Sequence, residues 1–285
     1  MKRIMLLLAA FCLSARAQAA PTWFVWSENE PADGAIRLSK LEGGSWRTET
    51  LDKSSRFSAN YLPCVGVDRD GAPWVVWAAR EGDASPRIFF SRKGADGWCD
   101  PEPVAPGNEE WESSPVIRFD PRGRPWAVWS RMNGPSTEIF CAAGNGEGFG
   151  AAFRLSSPDD SPDENPGLVF GADGAPTAFW EGWSGGRSLI FACRFSDGAW
   201  SGEEALSPSP DADQVRPAAV AGKEPAISWW EGGEWKYYSC ARNSFVLLRQ
   251  SAPSLPPLPA EEATGWIADG GDLLPVRDAL PASPD

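Results

Sequence analysis

The chain has 285 residues, with 26 basic against 39 acidic side chains, a formal charge of −13 and no histidine. The missing histidine excludes Ser-His-Asp and Cys-His catalysis and histidine-ligated zinc in one step. The acidic balance, without any basic run, argues against nucleic acid as a partner, because neutralising phosphates dominates that affinity.

The first residues read as a secretory leader. A basic start (Met1, Lys2, Arg3) precedes a short apolar run, Ile4 to Leu13, and then the A-x-A patterns Ala15–Ala17 and Ala17–Ala19. The run is too short to span a bilayer, and Phe11 before Cys12 does not fit a lipoprotein anchor. Residues 1–19 are therefore expected to be a signal peptide, with the mature protein secreted or periplasmic. Loss of Lys2, Arg3 and Arg16 would take the formal charge from −13 to −16.

A repeat follows. Trp26, Trp77, Trp129, Trp180 and Trp229 recur at steps of 51, 52, 51 and 49 residues, each closing a short apolar run such as PWVVW or PWAVW. Pro63, Pro115, Pro166 and Pro217 keep the same step and open a second run. Turns at Asp68–Gly71, Asp120–Gly123 and Gly171–Gly174 join the two. A third run starts at Arg87, Glu138, Leu189 and Lys236, and a fourth column holds Trp46, Trp98, Phe149 and Trp200. Four short runs per unit, rich in Val, Ile, Phe and Trp and parted by turn residues, predict four antiparallel strands, a to d. Many runs are apolar at consecutive positions and so need cover on both faces. Five such units predict an all-β, five-bladed β-propeller with the Trp columns packed between blades.

The units occupy residues 20–250, with no strand a in the first. A proline-rich linker follows over 251–263, then a segment over 264–285 in which Asp269 sits near the Asp68 and Asp120 position. Residues near 265–276 are expected to supply the missing strand of blade 1 and close the ring. Of the cysteines, Cys64, Cys99, Cys141, Cys193 and Cys240 remain after the leader. Equivalent positions in adjacent blades lie about 10 Å apart, beyond disulfide reach, so mostly buried free thiols and at most one bridge are expected.

Function has to be sought among residues that break the template. Trp111 falls on the loop before blade 3, and Trp183 on the b–c loop of blade 4, both on one face. Exposed rings flanked by carboxylates suit sugars, which stack apolar C–H faces on rings and bond hydroxyls to polar groups. The same face is expected to carry Arg56, Tyr61, Arg80, Arg131, Arg216, Glu28, Glu112, Asp163, Glu164, Glu181 and Glu231. Such a mixture suits an acidic or neutral sugar, or the paired carboxylates of glycoside hydrolysis. The bland alternatives are Trp rings that cap the core and solvated loop charges. The run Asp159–Asn165 offers hard oxygen ligands for calcium, but without regular ligand spacing it reads first as an acidic connector.

The pattern D-x-x-G-x-P-W-h-h-W at Asp68–Trp77 and Asp120–Trp129, followed by I-F and G-W, resembles the BNR repeat of sialidase-type propellers. The Asp-to-Gly spacing is one residue longer than in that family's Asp box, and the serine is missing. The resemblance implies an arginine triad, a Tyr/Glu nucleophile pair and an Asp acid/base. Arg56, Arg80, Arg131 and Arg216 offer the triad, and Tyr61 is the tyrosine nearest that face. Sialidase folds usually have six blades. Five-bladed lectins of the tachylectin type are similar in architecture.

The leading expectation is an exported, monomeric, non-catalytic propeller that binds a glycan or a cell-surface protein on its loop face. Its candidate ligand residues are Trp111, Trp183, Glu112, Glu181, Arg80, Arg131, Arg216 and Tyr61. The alternatives are a sialidase-like or furanosidase-like glycoside hydrolase, and a scaffold without a small-ligand site. No catalytic residue, metal or cofactor is assigned, and neither nucleic acid nor a membrane span is expected.

Overall fold

Each repeat folds as one antiparallel sheet, as its short β-branched and aromatic runs dictate. A computed structural model describes residues 23–27, 35–42, 45–51, 56–206, 212–220, 226–241, 244–247, 266–269 and 272–275. The expected leader (1–19) and proline-rich linker (251–263) lie outside these residues. Blade 1 contains β1 (Trp23–Ser27), β2 (Ile36–Glu42) and β3 (Ser45–Thr50). Blade 2 contains β4 (Ala59–Val67), β5 (Pro73–Arg80) and β6 (Arg87–Gly94), with its outer strand split into β7 (Gly97–Trp98) and β8 (Glu102–Pro103). Blade 3 contains β9 (Glu112–Phe119), β10 (Pro125–Asn133), β11 (Ser136–Ala143) and β12 (Phe153–Arg154). Blade 4 contains β13 (Asp163–Phe170), β14 (Pro176–Ser184) and β15 (Arg187–Ser196), with an outer strand split into β16 (Ala199–Trp200) and β17 (Glu204–Ala205). Blade 5 contains β18 (Gln214–Val220), β19 (Ala226–Glu231), β20 (Glu234–Ala241) and β21 (Ser244–Leu247).

The fold is an all-β propeller, and the chain end completes blade 1. β22 (Trp266–Asp269) pairs antiparallel with β1, Trp23 facing Ala268 and Val25 facing Trp266. β23 (Asp272–Pro275) then folds back onto β22, so this blade has five strands rather than the expected four. Among the described residues no helix is long and apolar enough to cross a membrane.

The core is a series of slabs between blades. Trp77 and Phe89 of blade 2 pack with Val25 and Leu38 of blade 1. Trp129 packs with Val76 and Ile88, Trp180 with Val128 and Ile139, and Trp229 with Phe179 and Ile190. All four tryptophans are fully buried, and burying one large apolar side chain stabilises by about 1.5–3 kcal/mol. Cys64, Cys141, Cys193 and Cys240 share these slabs as buried free thiols, and Cys99 is exposed and free. Burial pushes the Cys141 and Cys240 thiols up to about 12.

One local device recurs in the inner strand of blades 2 to 5. The register steps from Tyr61–Ala78 to Cys64–Val76, which leaves Leu62 and Pro63 opposite Trp77. By the same slip Ser114–Pro115 oppose Trp129, Asn165–Pro166 oppose Trp180 and Arg216–Pro217 oppose Trp229. The residue before the proline is left-handed each time, with φ of 47°, 52°, 52° and 60° at Leu62, Ser114, Asn165 and Arg216. A left-handed non-glycine residue costs about 1–2 kcal/mol, and a following proline restricts it further. The Pro and Trp columns of the sequence are thus the two sides of one β-bulge.

Two residues before each bulge stands a buried polar anchor: Asn60, Glu112, Asp163 or Gln214. The indole N–H of Trp77 donates to Asn60 Oδ1 at 2.8 Å, that of Trp129 to Glu112 Oε1 at 2.8 Å and that of Trp180 to Asp163 Oδ1 at 3.0 Å. Blade 5 departs: Trp229 donates to Glu231 at 2.8 Å, and Gln214 Oε1 accepts Ile190 N of blade 4 at 3.0 Å. Glu112 also reaches across, accepting Ile88 N of blade 2 at 2.8 Å. The a–b turns are closed by their aspartates. Asp68 Oδ1 accepts Ala72 N and its Oδ2 accepts the Trp74 indole, as Asp120 does for Arg124 N and Trp126. Gly71 and Gly123 hold the positive φ that these turns need.

Candidate functional site

Strands a start, and strands b end, at the same rim of the ring. There a cavity of about 530 Å³ opens across blades 1 to 4. Ser27, Ala78, Arg80 and Ser130 reach it from the ends of strands b, and Tyr61, Leu62, Ser113, Ser114, Glu164 and Asn165 from the starts of strands a. Its lip is aromatic and apolar: Tyr61 is 38% exposed, Leu62 49% and Trp111 41%. Trp111 is held by its carbonyl, which accepts Met132 N at 2.9 Å.

The wall below carries polar atoms that the fold does not use. Arg80 Nε, Ser130 Oγ and Thr137 Oγ1 are buried and have no hydrogen-bond partner among the described residues. Each such group costs about 1–3 kcal/mol if nothing else satisfies it, as Ser136 Oγ and Thr177 Oγ1 do elsewhere in the fold. The volume falls within the ~300–1,000 Å³ of small-molecule pockets.

Two carboxylates line this cavity, in different states. Glu164 is exposed. Glu112 is only 1% exposed and fully engaged: Oε1 accepts the Trp129 indole and Arg131 Nε at 2.8 Å each, and Oε2 accepts Ile88 N. Arg131, packed over the Phe140 ring at 4.1 Å, serves as the counter-ion of that buried carboxylate. Beyond Asn165, a second polar chain runs to blade 5. Glu181 Oε2 accepts Asn165 Nδ2 at 3.4 Å and Arg216 N at 3.1 Å, and Ser188 Oγ donates to Glu181 Oε1 at 2.9 Å.

The structure therefore brings Tyr61, Arg80, Trp111 and Glu112 to one cavity. Arg131 stands behind Glu112, and Glu181 and Arg216 connect to the cavity through Asn165. Trp183 is 49% exposed but is not part of the cavity wall. It lies in β14 itself, opposite Ser188, rather than on the b–c loop. Three of the carboxylates expected on the open face are instead buried indole acceptors: Glu112, Asp163 and Glu231. Glu28 lies outside the described residues. The cavity residues that sequence reasoning missed include Leu62, Ser114, Asn165, Ser130 and Thr137. The first three stand one place before the Pro column, which was the signal available.

Asp163 belongs to a buried acidic group between blades 3 and 4. Burial raises its carboxyl to about 7; the Ser156 hydroxyl opposes the rise, and the Glu138 charge adds to it. Glu138 is fully buried and also pushed up by burial, with Ser156 Oγ donating to its Oε2 at 2.7 Å. Within Asp159–Asn165, Asp159 Oδ1 is occupied by Ser161 N at 2.7 Å. Among the described residues no group of three or more His, Cys, Asp or Glu is placed to hold a metal. A larger hollow of about 720 Å³ lies at the outer edge of blades 1 and 2, between β3 and β7. Among its polar side chains Glu49 pairs with Lys93, Arg37 with Thr50 and Thr48 with Ser39.

By sequence, no protein-family model and no curated protein matches the chain. By fold, it is similar to a protein of unknown function from Dyadobacter fermentans, with a TM-score of 0.58 at 11% identity over 80% of this chain and 75% of that one. It is similar to the α-L-arabinanase of Penicillium chrysogenum complexed with arabinobiose, with a TM-score of 0.55 at 14% identity over 75% and 72% of the two chains. It is also similar to the Hadza microbial sialidase Hz136, with a TM-score of 0.53 at 10% identity over 76% of this chain and 54%, about half, of that one. At these identities the likeness is one of fold alone, a β-propeller.

Proposed function

We propose that this protein is an exported propeller that binds a saccharide in the cavity at the a/b rim. The observation that carries the proposal is the cavity's composition: the exposed Trp111 and Tyr61 rings together with the exposed polar side chains of Glu164 and Asn165. Rings take the apolar face of a sugar, and convergent donors and acceptors take its hydroxyls. The basic and apolar start of the chain supports export.

Glycoside hydrolysis in the same cavity is the second reading, and the fold neighbours favour it over a purely binding role, since they include a sialidase and an arabinanase. Glu164 is the exposed carboxylate for such chemistry. Glu112, the other one on the wall, is tied to Trp129, Arg131 and Ile88, and a two-carboxylate mechanism needs both groups free to reach the sugar. The test is an array of neutral and carboxylated oligosaccharides, followed by turnover assays of every retained sugar with the wild type and Glu164→Gln. Retention without turnover is expected. Turnover that Glu164→Gln abolishes would move the assignment to a hydrolase, and no retention of any sugar would remove the saccharide reading.

A further inference from the structure

Four inner-strand residues hold a backbone conformation that glycine would adopt more cheaply: Leu62, Ser114, Asn165 and Arg216. The chain does use glycine where only the turn matters, at Gly71, Gly123 and Gly174, each with φ near 80°. At the bulges it keeps a side chain instead, and a chemically different one in each blade: isobutyl, hydroxyl, amide and guanidinium. A shared structural role would call for shared chemistry, as the adjoining Pro and Trp columns display. What these four positions share is location. Leu62, Ser114 and Asn165 all line the one cavity at the rim, and Arg216 continues the series into blade 5.

The surrounding frame fixes where they sit. On one side the bulge is locked by the buried tryptophan it opposes, and on the other by the anchor two residues earlier, which accepts that tryptophan's indole in blades 2, 3 and 4. Asn165 is steadied further by Glu181, which also holds the backbone of Arg216. Strained backbone persists where its surroundings over-determine it, and such positions concentrate at ligand-contacting sites.

We infer that the bulge residues Leu62, Ser114 and Asn165 are the selectivity-determining positions of the cavity, presented to the saccharide by an otherwise repeated Trp-anchor-Pro frame. The inference rests on the saccharide reading of the cavity. Its division of labour is specific. Leu62 supplies apolar contact beside the Tyr61 and Trp111 rings, whereas Ser114 and Asn165 supply hydroxyl and amide bonding on the blade 3 and 4 side. The frame carries stability, and the bulge residues carry choice at a cost in stability. Glu181 is a positioning residue for Asn165.

The test uses the full mature protein and glycine replacements, which keep the left-handed backbone and delete only the side chain. Leu62→Gly, Ser114→Gly and Asn165→Gly are each run on the array of neutral and carboxylated oligosaccharides and melted beside the wild type. Each variant is expected to melt no lower than the wild type. Leu62→Gly, the most strained, is expected to melt about 2–4 °C higher. Each is expected to lose about tenfold in retention or to change the ranking of retained sugars, with Leu62→Gly relaxing the preference differently from Asn165→Gly. Glu181→Gln is expected to weaken retention of the sugars that Asn165→Gly affects and to leave the others unchanged. Wild-type retention with an unchanged ranking in all three glycine variants would overturn the inference and leave the saccharide reading standing. Variants that melt well below the wild type would show the side chains to be structural and overturn it as well. A wild type that retains no sugar defeats both.

Discussion

Blades 2 and 4 solve the same problem with different chemistry. In blade 2 the buried indole of Trp77 finds a neutral amide, Asn60. In blade 4, at the equivalent place, Trp180 finds Asp163, whose carboxyl burial raises to about 7. Blade 3 stands between them: Glu112 stays in place under Trp129 with the guanidinium of Arg131 beside it. An indole donor requires only an acceptor. A buried carboxylate in that role also requires a counter-ion or a proton. Blade 3 supplies the first, blade 4 relies on the second, and blade 2 needs neither.

The largest effect is expected in blade 3. Glu112→Ala removes the acceptor of Trp129 and of Ile88 N and leaves Arg131 without its partner, for a loss of about 3–5 kcal/mol in denaturant titration. Glu112→Gln keeps an acceptor and is expected to lose less. Next comes the pH dependence of blade 4. Because the folded Asp163 carboxyl is raised above its unfolded value near 4, its proton stabilises the fold at acid pH, and that stability is lost as pH rises towards about 7. The slope is at most about 1.4 kcal/mol per pH unit between about pH 4 and 7. Melting followed across that range with the wild type and Asp163→Asn should show the decline flattened in the variant.

A smaller effect is expected from the reverse exchange. Asn60→Asp places a buried acid under Trp77, at an expected cost of about 1–3 kcal/mol at pH 8 that shrinks as the buffer is acidified. If Asn60→Asp melts as the wild type does at both pH values, the contrast between the blades is not one of charge. A small effect on stability belongs to Trp111→Ala, which removes a ring that is 41% exposed and should shift unfolding by about 1 kcal/mol.

The repeat was legible because packing and turn chemistry constrain residue type. Only a large apolar ring fills the slab at Trp77, Trp129, Trp180 and Trp229, and the Asp68 and Asp120 turns need their carboxylates and glycines. The closing strand was legible too, from the loose match of the segment over 264–276 to the strand-a column, although the register sets Asp269 one residue short of the Asp68 position. The anchor column was not, although it keeps the same step, because Asn60, Glu112, Asp163 and Gln214 share an acceptor oxygen rather than a residue type. Two of its members consequently resembled site carboxylates. The bulges escaped for a related reason: positive φ normally announces itself through glycine, and Leu62, Ser114, Asn165 and Arg216 give no such sign. Exposed rings were identified by falling outside the template. Sequence could not separate Trp111, on the cavity wall, from Trp183, off it, because that depends on how adjacent inner strands converge.

The central proposal, that the rim cavity is the saccharide site, is tested most directly by isothermal titration of the most strongly retained array oligosaccharide into the wild type, Trp111→Ala and Trp183→Ala. Loss of about tenfold in affinity, worth about 1.4 kcal/mol, is expected for Trp111→Ala, with Trp183→Ala binding as the wild type does. Undiminished binding by Trp111→Ala, or a loss confined to Trp183→Ala, would contradict it.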